Sequence, residues 1–300
     1  MAGELKLDAL TPQEMAEKVE KISIGKTKLA FLPLFGLAIL AGAYISLGAM
    51  FATIVYTGTL SLSYGVARLL MGLAFCLGLI LVVVGGSELF TGNSLMLIGW
   101  ASRKVSTLAL LRNWGIVYLG NFVGSLGTAG LVYLSGQYTF NDGAVGEMAL
   151  KIAISKSSLG FTQALALGIL CNALVCLAVW MTFSARSTVD KIIAIIFPIT
   201  AFVAAGFEHS VANMYFIPYG LFIKAFDPAF GVAHKIDLTN LTWNTFLVNN
   251  LIPVTLGNII GGAVLVGWMY WFIYLHQTGK VKNDNPVNQP TQDPINTSSN

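Results

Sequence analysis

Four runs of this 300-residue chain, 29–67, 113–141, 157–185 and 238–279, contain no Asp, Glu, Lys or Arg at all. Each has room for the roughly 20 apolar residues that a helix needs to cross a hydrocarbon core. Two more apolar stretches, 69–102 and 192–223, are each interrupted near the middle by glycine and a single glutamate. The chain therefore reads as an all-α integral membrane protein of six transmembrane spans, with spans 2 and 5 broken. Composition agrees: at 55% hydrophobic and 10% charged residues it is no ordinary soluble domain.

The two interruptions share a pattern. Gly86-Ser87-Glu88-Leu89-Phe90-Thr91-Gly92-Asn93 returns 120 residues later as Gly206-Phe207-Glu208-His209-Ser210-Val211-Ala212-Asn213. Glu88 and Glu208 are the only carboxylates inside the spans. A carboxylate in hydrocarbon costs several kcal/mol unless it is neutralised, paired or hydrated, so these positions mark function. Gly120-Asn121-Phe122-Val123-Gly124 in span 3 likewise matches Gly257-Asn258-Ile259-Ile260-Gly261 in span 6, and Ile39 to Ala43 matches Ile169 to Ala173 more weakly. Matched motifs in the same order give two halves of three spans. An odd number of spans per half turns the halves upside down relative to each other, the inverted-repeat plan of many channels and transporters. Taken alone, the glycines need only permit close helix packing.

A helix that stops inside the membrane strands backbone groups, which is tolerated only within protein or beside water, so a cavity is expected at each break. A half-helix beginning near Glu208 is expected to turn N–H groups and its positive dipole end toward that cavity, a setting for a small anion. No span interior carries Lys or Arg to hold an anion permanently. Weak attraction favours passage over trapping.

Of the 17 Lys and Arg residues, 12 fall on one side of the membrane when assigned to the connections, and five, Arg68, Lys151, Lys156, Lys224 and Lys235, on the other. Positive residues stay preferentially in the cytoplasm, so both termini are expected there, and the net charge of +3 is this asymmetry and not a nucleic-acid surface. Residues 1–28 read as a cytoplasmic amphipathic segment, with a helix start at Thr11-Pro12-Gln13-Glu14, that gates the pore or lies on the membrane or the protein. Residues 29–276 form the six-span channel body and 277–300 a disordered polar tail. Cys76, Cys171 and Cys176 lie in spans without metal-ligand spacing, so neither a metal nor another cofactor is expected. His234 and His276 read as loop and interfacial residues; His209, beside a break, reads as functional.

The stretch Gly206 to Met214, with Pro218 and then Asn250-Leu251-Ile252-Pro253-Val254-Thr255-Leu256-Gly257-Asn258-Ile259-Ile260-Gly261-Gly262, resembles the formate/nitrite transporter family. Glu88 to Thr91, Gly120-Asn121 and Asn172 to Trp180 match it too, and the similarity runs from about Thr11 to Leu275, nearest the bacterial formate channel branch. That branch has aspartate where this chain has Glu88, a departure bearing only on the packing of that loop. The resemblance implies an aquaporin-like plan without Asn-Pro-Ala motifs, assembled as a homopentamer with a separate pore in each protomer. It implies that His209 is the pore histidine and Thr91 its hydrogen-bonding threonine, with Glu208, Asn213, Asn172 and Asn258 as supporting polar residues. Lys156 would draw anions into the outer vestibule. Phe75, Leu79 and Phe202 would form a cytoplasmic constriction, and Leu89, Phe90 and Val175 an outer one.

The function that follows is a formate channel of the bacterial inner membrane, passing formate and related small monovalent anions with a pH dependence set by His209. The ion either takes up a proton transiently or passes as an anion held by these donors. Nitrite and hydrosulfide branches remain alternatives. A neutral-solute pore needs no titratable centre, and a Ser210–His209 hydrolase pair is excluded because adjacent residues on a helix point about 100° apart.

Overall fold

The computed structural model describes residues 9–59 and 61–276; the expected disordered tail lies outside the described residues, as do residues 1–8. Among the described residues the chain is helical. Five helices are long and apolar enough to cross a membrane: α2 (Phe31–Thr57), α3 (Tyr64–Gly85), α6 (Thr107–Leu134), α8 (Phe161–Thr182) and α12 (Thr245–Tyr274). The stretch 192–223 yields two shorter helices instead, α9 (Thr188–Ala205) and α10 (Ser210–Phe226). After α3 come the short helices α4 (Phe90–Asn93) and α5 (Leu97–Ala101), joined by a tight turn. α3 starts earlier than the apolar stretch does and so encloses Arg68, whose guanidinium finds partners on α9.

Two amphipathic helices flank the bundle, α1 (Pro12–Thr27) and α7 (Ala144–Ser157); α11 (Pro228–Ala233) is a short loop helix. α1 opens on a reciprocal cap: Glu14 N–H donates to Thr11 Oγ1 at 3.3 Å and Thr11 N–H to the Glu14 carboxylate at 2.9 Å. Of the placements expected for it, α1 takes the one against the protein. Met15, Ala16 and Val19 are buried with Leu95, Ile98, Trp180 and Val266, Lys18 Nζ donates to the Phe183 carbonyl at 2.8 Å, and Lys104 pairs with Glu20 at 2.5 Å.

Glycine sets how closely the helices approach. A Cβ on Gly124 would sit 2.0 Å from the Ile39 carbonyl oxygen, and one on Gly261 would sit 2.0 Å from that of Ile169. Only hydrogen fits at these crossings of α6 on α2 and α12 on α8, the close approach that packs helices without hydrophobic drive in lipid. At the centre lies α10, with 13 of its 17 residues buried, so it is the axis of the bundle and not a lipid-facing helix. α12 winds with widened, π-type turns over Thr245–Leu251 and Ile260–Trp268.

Candidate functional site

Both interruptions are built in the same way. α3 and α9 end at glycines in the left-handed region, Gly86 and Gly206, each with φ of 75°, a conformation that costs any other residue about 1–2 kcal/mol. The chain then runs extended, and Glu88 N–H donates to the Leu37 carbonyl at 3.2 Å as Glu208 N–H does to Leu167 at 3.3 Å. One asparagine closes each break. Asn121 accepts Phe90 N–H at 2.9 Å and donates to the carbonyls of Ala38 and Glu88 at 2.7 and 2.9 Å. Asn258 accepts Ser210 N–H at 2.9 Å and donates to Gly168 and Glu208 at 2.8 and 3.0 Å. Backbone groups stranded by the breaks are thereby satisfied within the protein. The first amides of α10, expected to face an anion, are partly engaged already: Ser210 N–H by Asn258 and Ala212 N–H by His209 Nδ1 at 3.1 Å.

The glutamates at the two breaks are each held by a lysine and by asparagine amides, two for Glu208 and one for Glu88. Lys156 Nζ lies 2.7 Å from Glu208 Oε1, while Glu208 Oε2 accepts from Asn213 at 2.7 Å and Asn250 at 3.2 Å. Lys26 Nζ lies 2.6 Å from Glu88 Oε1; Glu88 Oε2 accepts from Asn93 at 2.7 Å, which also donates to Asn113 at 2.8 Å. Lys26, Asn93, Asn113 and Asn250 were not among the expected site residues. Asn93 sits in the repeated motif itself, and Ile24-x-Lys26-x-x-Leu29-x-Phe31 recurs 130 residues on as Ile154-x-Lys156-x-x-Leu159-x-Phe161, a signal that aligns the two lysines.

Between these networks, Thr91 Oγ1 and His209 Nε2 are 2.9 Å apart, with Thr91 fully buried and His209 only 2% exposed. His209 Nδ1 accepts the Ala212 N–H, so the proton of the neutral ring is on Nε2 and is donated to Thr91 Oγ1, which leaves the threonine hydroxyl hydrogen free to donate elsewhere. Asn172 donates to the carbonyls of Thr91 and Asn258 at 3.2 and 2.6 Å, and Cys176 Sγ lies 3.3 Å from the same Thr91 carbonyl. Asn172 and Asn258 thus brace the backbone around the Thr91–His209 pair.

Two chambers of about 380 Å³ each lie near this pair, the first with His209 in its wall and the second with Gly92 and Asn93, next to Thr91, in its wall. Lys156, Glu208, His209, Phe75 and Phe202 line the first, and Lys26, Glu88, Leu79 and Leu89 the second. The expected constrictions are regrouped as a result. Phe75 and Phe202, expected on the cytoplasmic side, share the chamber of Lys156, their rings edge to face at 5.5 Å and Phe202 6.0 Å from the His209 ring. Leu89, expected outside, shares the chamber of Lys26 with Leu79. The reason is position along α3: Phe75 lies toward the Arg68 end and Leu79 one turn closer to Gly86. Phe90 packs on Tyr118 at 4.9 Å and on Trp114 at 6.2 Å, and neither it nor Val175 lines either chamber.

A helical membrane bundle with two chambers and a buried, uncharged donor pair in the region of both is the architecture of a channel or transporter for small solutes. The family model for the formate/nitrite transporter matches residues 13–272, and the chain belongs to that family. It is 43% identical over 281 residues to the formate channel FocA of Escherichia coli K12, covering 92% of this chain and 99% of that one. It is 40% identical to a probable formate transporter of Methanothermobacter thermautotrophicus, covering 88% of this chain and 94% of that one. Among solved structures, a pentameric formate channel with formate bound superposes with a TM-score of 0.77 at 48% identity, covering 82% of this chain and 98% of that one. The chain is a multi-pass membrane channel protein, not an enzyme.

Proposed function

We propose that the protein is a formate channel of the bacterial inner membrane, one pore per protomer of a homopentamer, built as six spans in two inverted halves with spans 2 and 5 broken and both termini cytoplasmic. The buried Thr91–His209 hydrogen bond in the region of both chambers, with no fixed cation beside it, carries this reading. A small carboxylate shedding water at the midpoint needs a donor to replace it, and a permanent charge there would trap the ion. The free Thr91 hydroxyl hydrogen supplies that donor, and the His209 ring, capped by Ala212 and donating through Nε2, fixes its direction. Glu208, Asn213, Asn172 and Asn258 hold the loop geometry. Lys156 and Lys26 give each chamber a cation whose charge is largely balanced by its glutamate. Phe75 with Phe202, and Leu79 with Leu89, narrow the two approaches. α1 closes against the cytoplasmic chamber, since Val19, Ile22, Ser23 and Lys26 line it, and residues 29–276 form the channel body.

Purified protein in proteoliposomes tests this, with formate, nitrite, hydrosulfide and chloride fluxes compared across external pH and His209→Asn alongside. Asparagine keeps an acceptor for the Ala212 amide, so α10 still starts at the same place. Formate flux that varies with pH in the native protein and not in the variant is the expected result. Fast nitrite or hydrosulfide flux with negligible formate would move the protein to a sister branch, and no anion flux would reject the reading.

A further inference from the structure

Arg68 is the one basic residue in the first chamber's wall that pairs with no carboxylate among the described residues: Lys151 pairs with Glu147 at 2.6 Å and Lys156 with Glu208 at 2.7 Å. Its guanidinium turns onto the end of α9. Arg68 Nε donates to the Ala204 carbonyl at 3.1 Å and Nη2 makes a short bond to that of Val203, while Tyr56 holds the group from the other side, its ring centroid 5.8 Å from Cζ. Arginine stays charged at every accessible pH. The last carbonyls of a helix carry the negative end of its dipole, and α9 stops at the first chamber, where Phe202, Val203 and Gly206 form part of the wall. Left bare, that end would repel an approaching anion. Backbone donors close both helix ends alike, Gly206 N–H on the Val203 carbonyl and Phe207 N–H on that of Phe202, as Gly86 and Ser87 N–H on that of Val82, but among the described residues no Lys or Arg bonds the matching end of α3 on the second chamber.

We infer that Arg68 is a positioning and selectivity residue that covers the carbonyl end of α9 and leaves the first chamber with a net positive charge, so that anions are gathered from that side and less so from the other. The inference rests on the anion-channel reading. It deepens that reading by assigning a determinant of capture outside the Thr91–His209 centre, and it makes the two faces of the pore unequal although their buried glutamate networks match. Lysine at this position would keep the charge but lose the fork that reaches two carbonyls at once.

Formate uptake into right-side-out and inside-out membrane vesicles, measured against formate concentration at low and high salt for the native protein, Arg68→Gln and Arg68→Lys, tests it. From the side the first chamber faces, Arg68→Gln is expected to raise the half-saturating concentration roughly two- to fivefold, the effect of one helix-end charge, and to flatten its salt dependence. From the opposite side the half-saturating concentration stays as in the native protein, and Arg68→Lys restores most of the salt dependence. An unchanged half-saturating concentration in Arg68→Gln, or a loss of flux equal from both sides that lysine does not rescue, overturns the inference. Native vesicles that pass no formate would instead overturn the functional reading on which it rests.

Discussion

A lysine–glutamate pair taken out of water gains from its own attraction only if the remaining lone pairs and protons are satisfied as well. Glu208 meets that condition through Asn213 and Asn250, whose amide nitrogens lie 2.7 and 3.2 Å from Oε2. Removing one member leaves the other charge buried and alone, with a typical cost of about 3–5 kcal/mol. Glu208→Gln is therefore expected to lower the unfolding stability of the detergent-solubilised protein by about that much, while Lys156→Met combined with Glu208→Gln recovers part of the loss. A double-mutant cycle read by thermal unfolding checks this, and strictly additive losses would show that the two side chains do not act as a pair. Half of this arrangement was legible in the sequence, because a glutamate in an apolar run cannot be neutral scenery. The partners were harder to read. Lys26 lies in the amphipathic segment before span 1, and nothing in its local pattern points 62 residues ahead to Glu88. Only the 130-residue recurrence that sets Lys26 against Lys156 carries that information.

Breaking a helix in the membrane interior strands several amides and carbonyls, and the fold answers with one asparagine per break and one glycine per turn. Glycine positions were readable as close-packing signals, yet not which helix each approaches. Gly261 shows the demand: a Cβ would meet the Ile169 carbonyl oxygen at 2.0 Å and its carbon at 2.9 Å, both backbone atoms with no side-chain freedom to yield. Gly261→Ala is expected to push α12 off α8 and cost at least about 1–3 kcal/mol, the usual penalty of overpacking. Asn258, one turn earlier on α12, would move with it and loosen its holds on Ser210, Gly168 and Glu208. Formate flux should then fall together with thermal stability. Gly127→Ala, in α6 with nothing within 4 Å of the added atom, should leave both unchanged and serves as the control. What the apolar pattern places differently is the start of α3, not the break, and for a physical reason. The apolar character of α3 begins after Arg68, but the helix starts at Tyr64, since a membrane helix can include a cation whose head finds carbonyls to bind.

At the scale of the whole molecule, both chambers and the donor pair near them are enclosed by a single chain, whereas large apolar side chains such as Leu108, Leu131, Leu134 and Phe197 stand 70–79% exposed on its outside. The outer surface is what lipid and neighbouring protomers cover, and the inner one is what the solute meets. If the proposed pentamer holds five independent pores, assembly supplies shelter for those apolar faces but no residue of the path. Flux through mixed assemblies then has a simple form. Co-expressing native chains with a variant plugged in the second chamber, Leu79→Trp, at graded ratios should give formate flux proportional to the native fraction. The size of the assembly is verified for every ratio, so that failed association is separated from a blocked pore. A shared central path, or a concerted opening that needs all five protomers, would instead make flux fall as about the fifth power of the native fraction. At half native chains the two cases differ by about sixteenfold, well outside the scatter of a flux measurement. Proportional flux would mean that everything deciding passage, from the Lys156–Glu208 pair to the Thr91–His209 bond, lies within one folded chain.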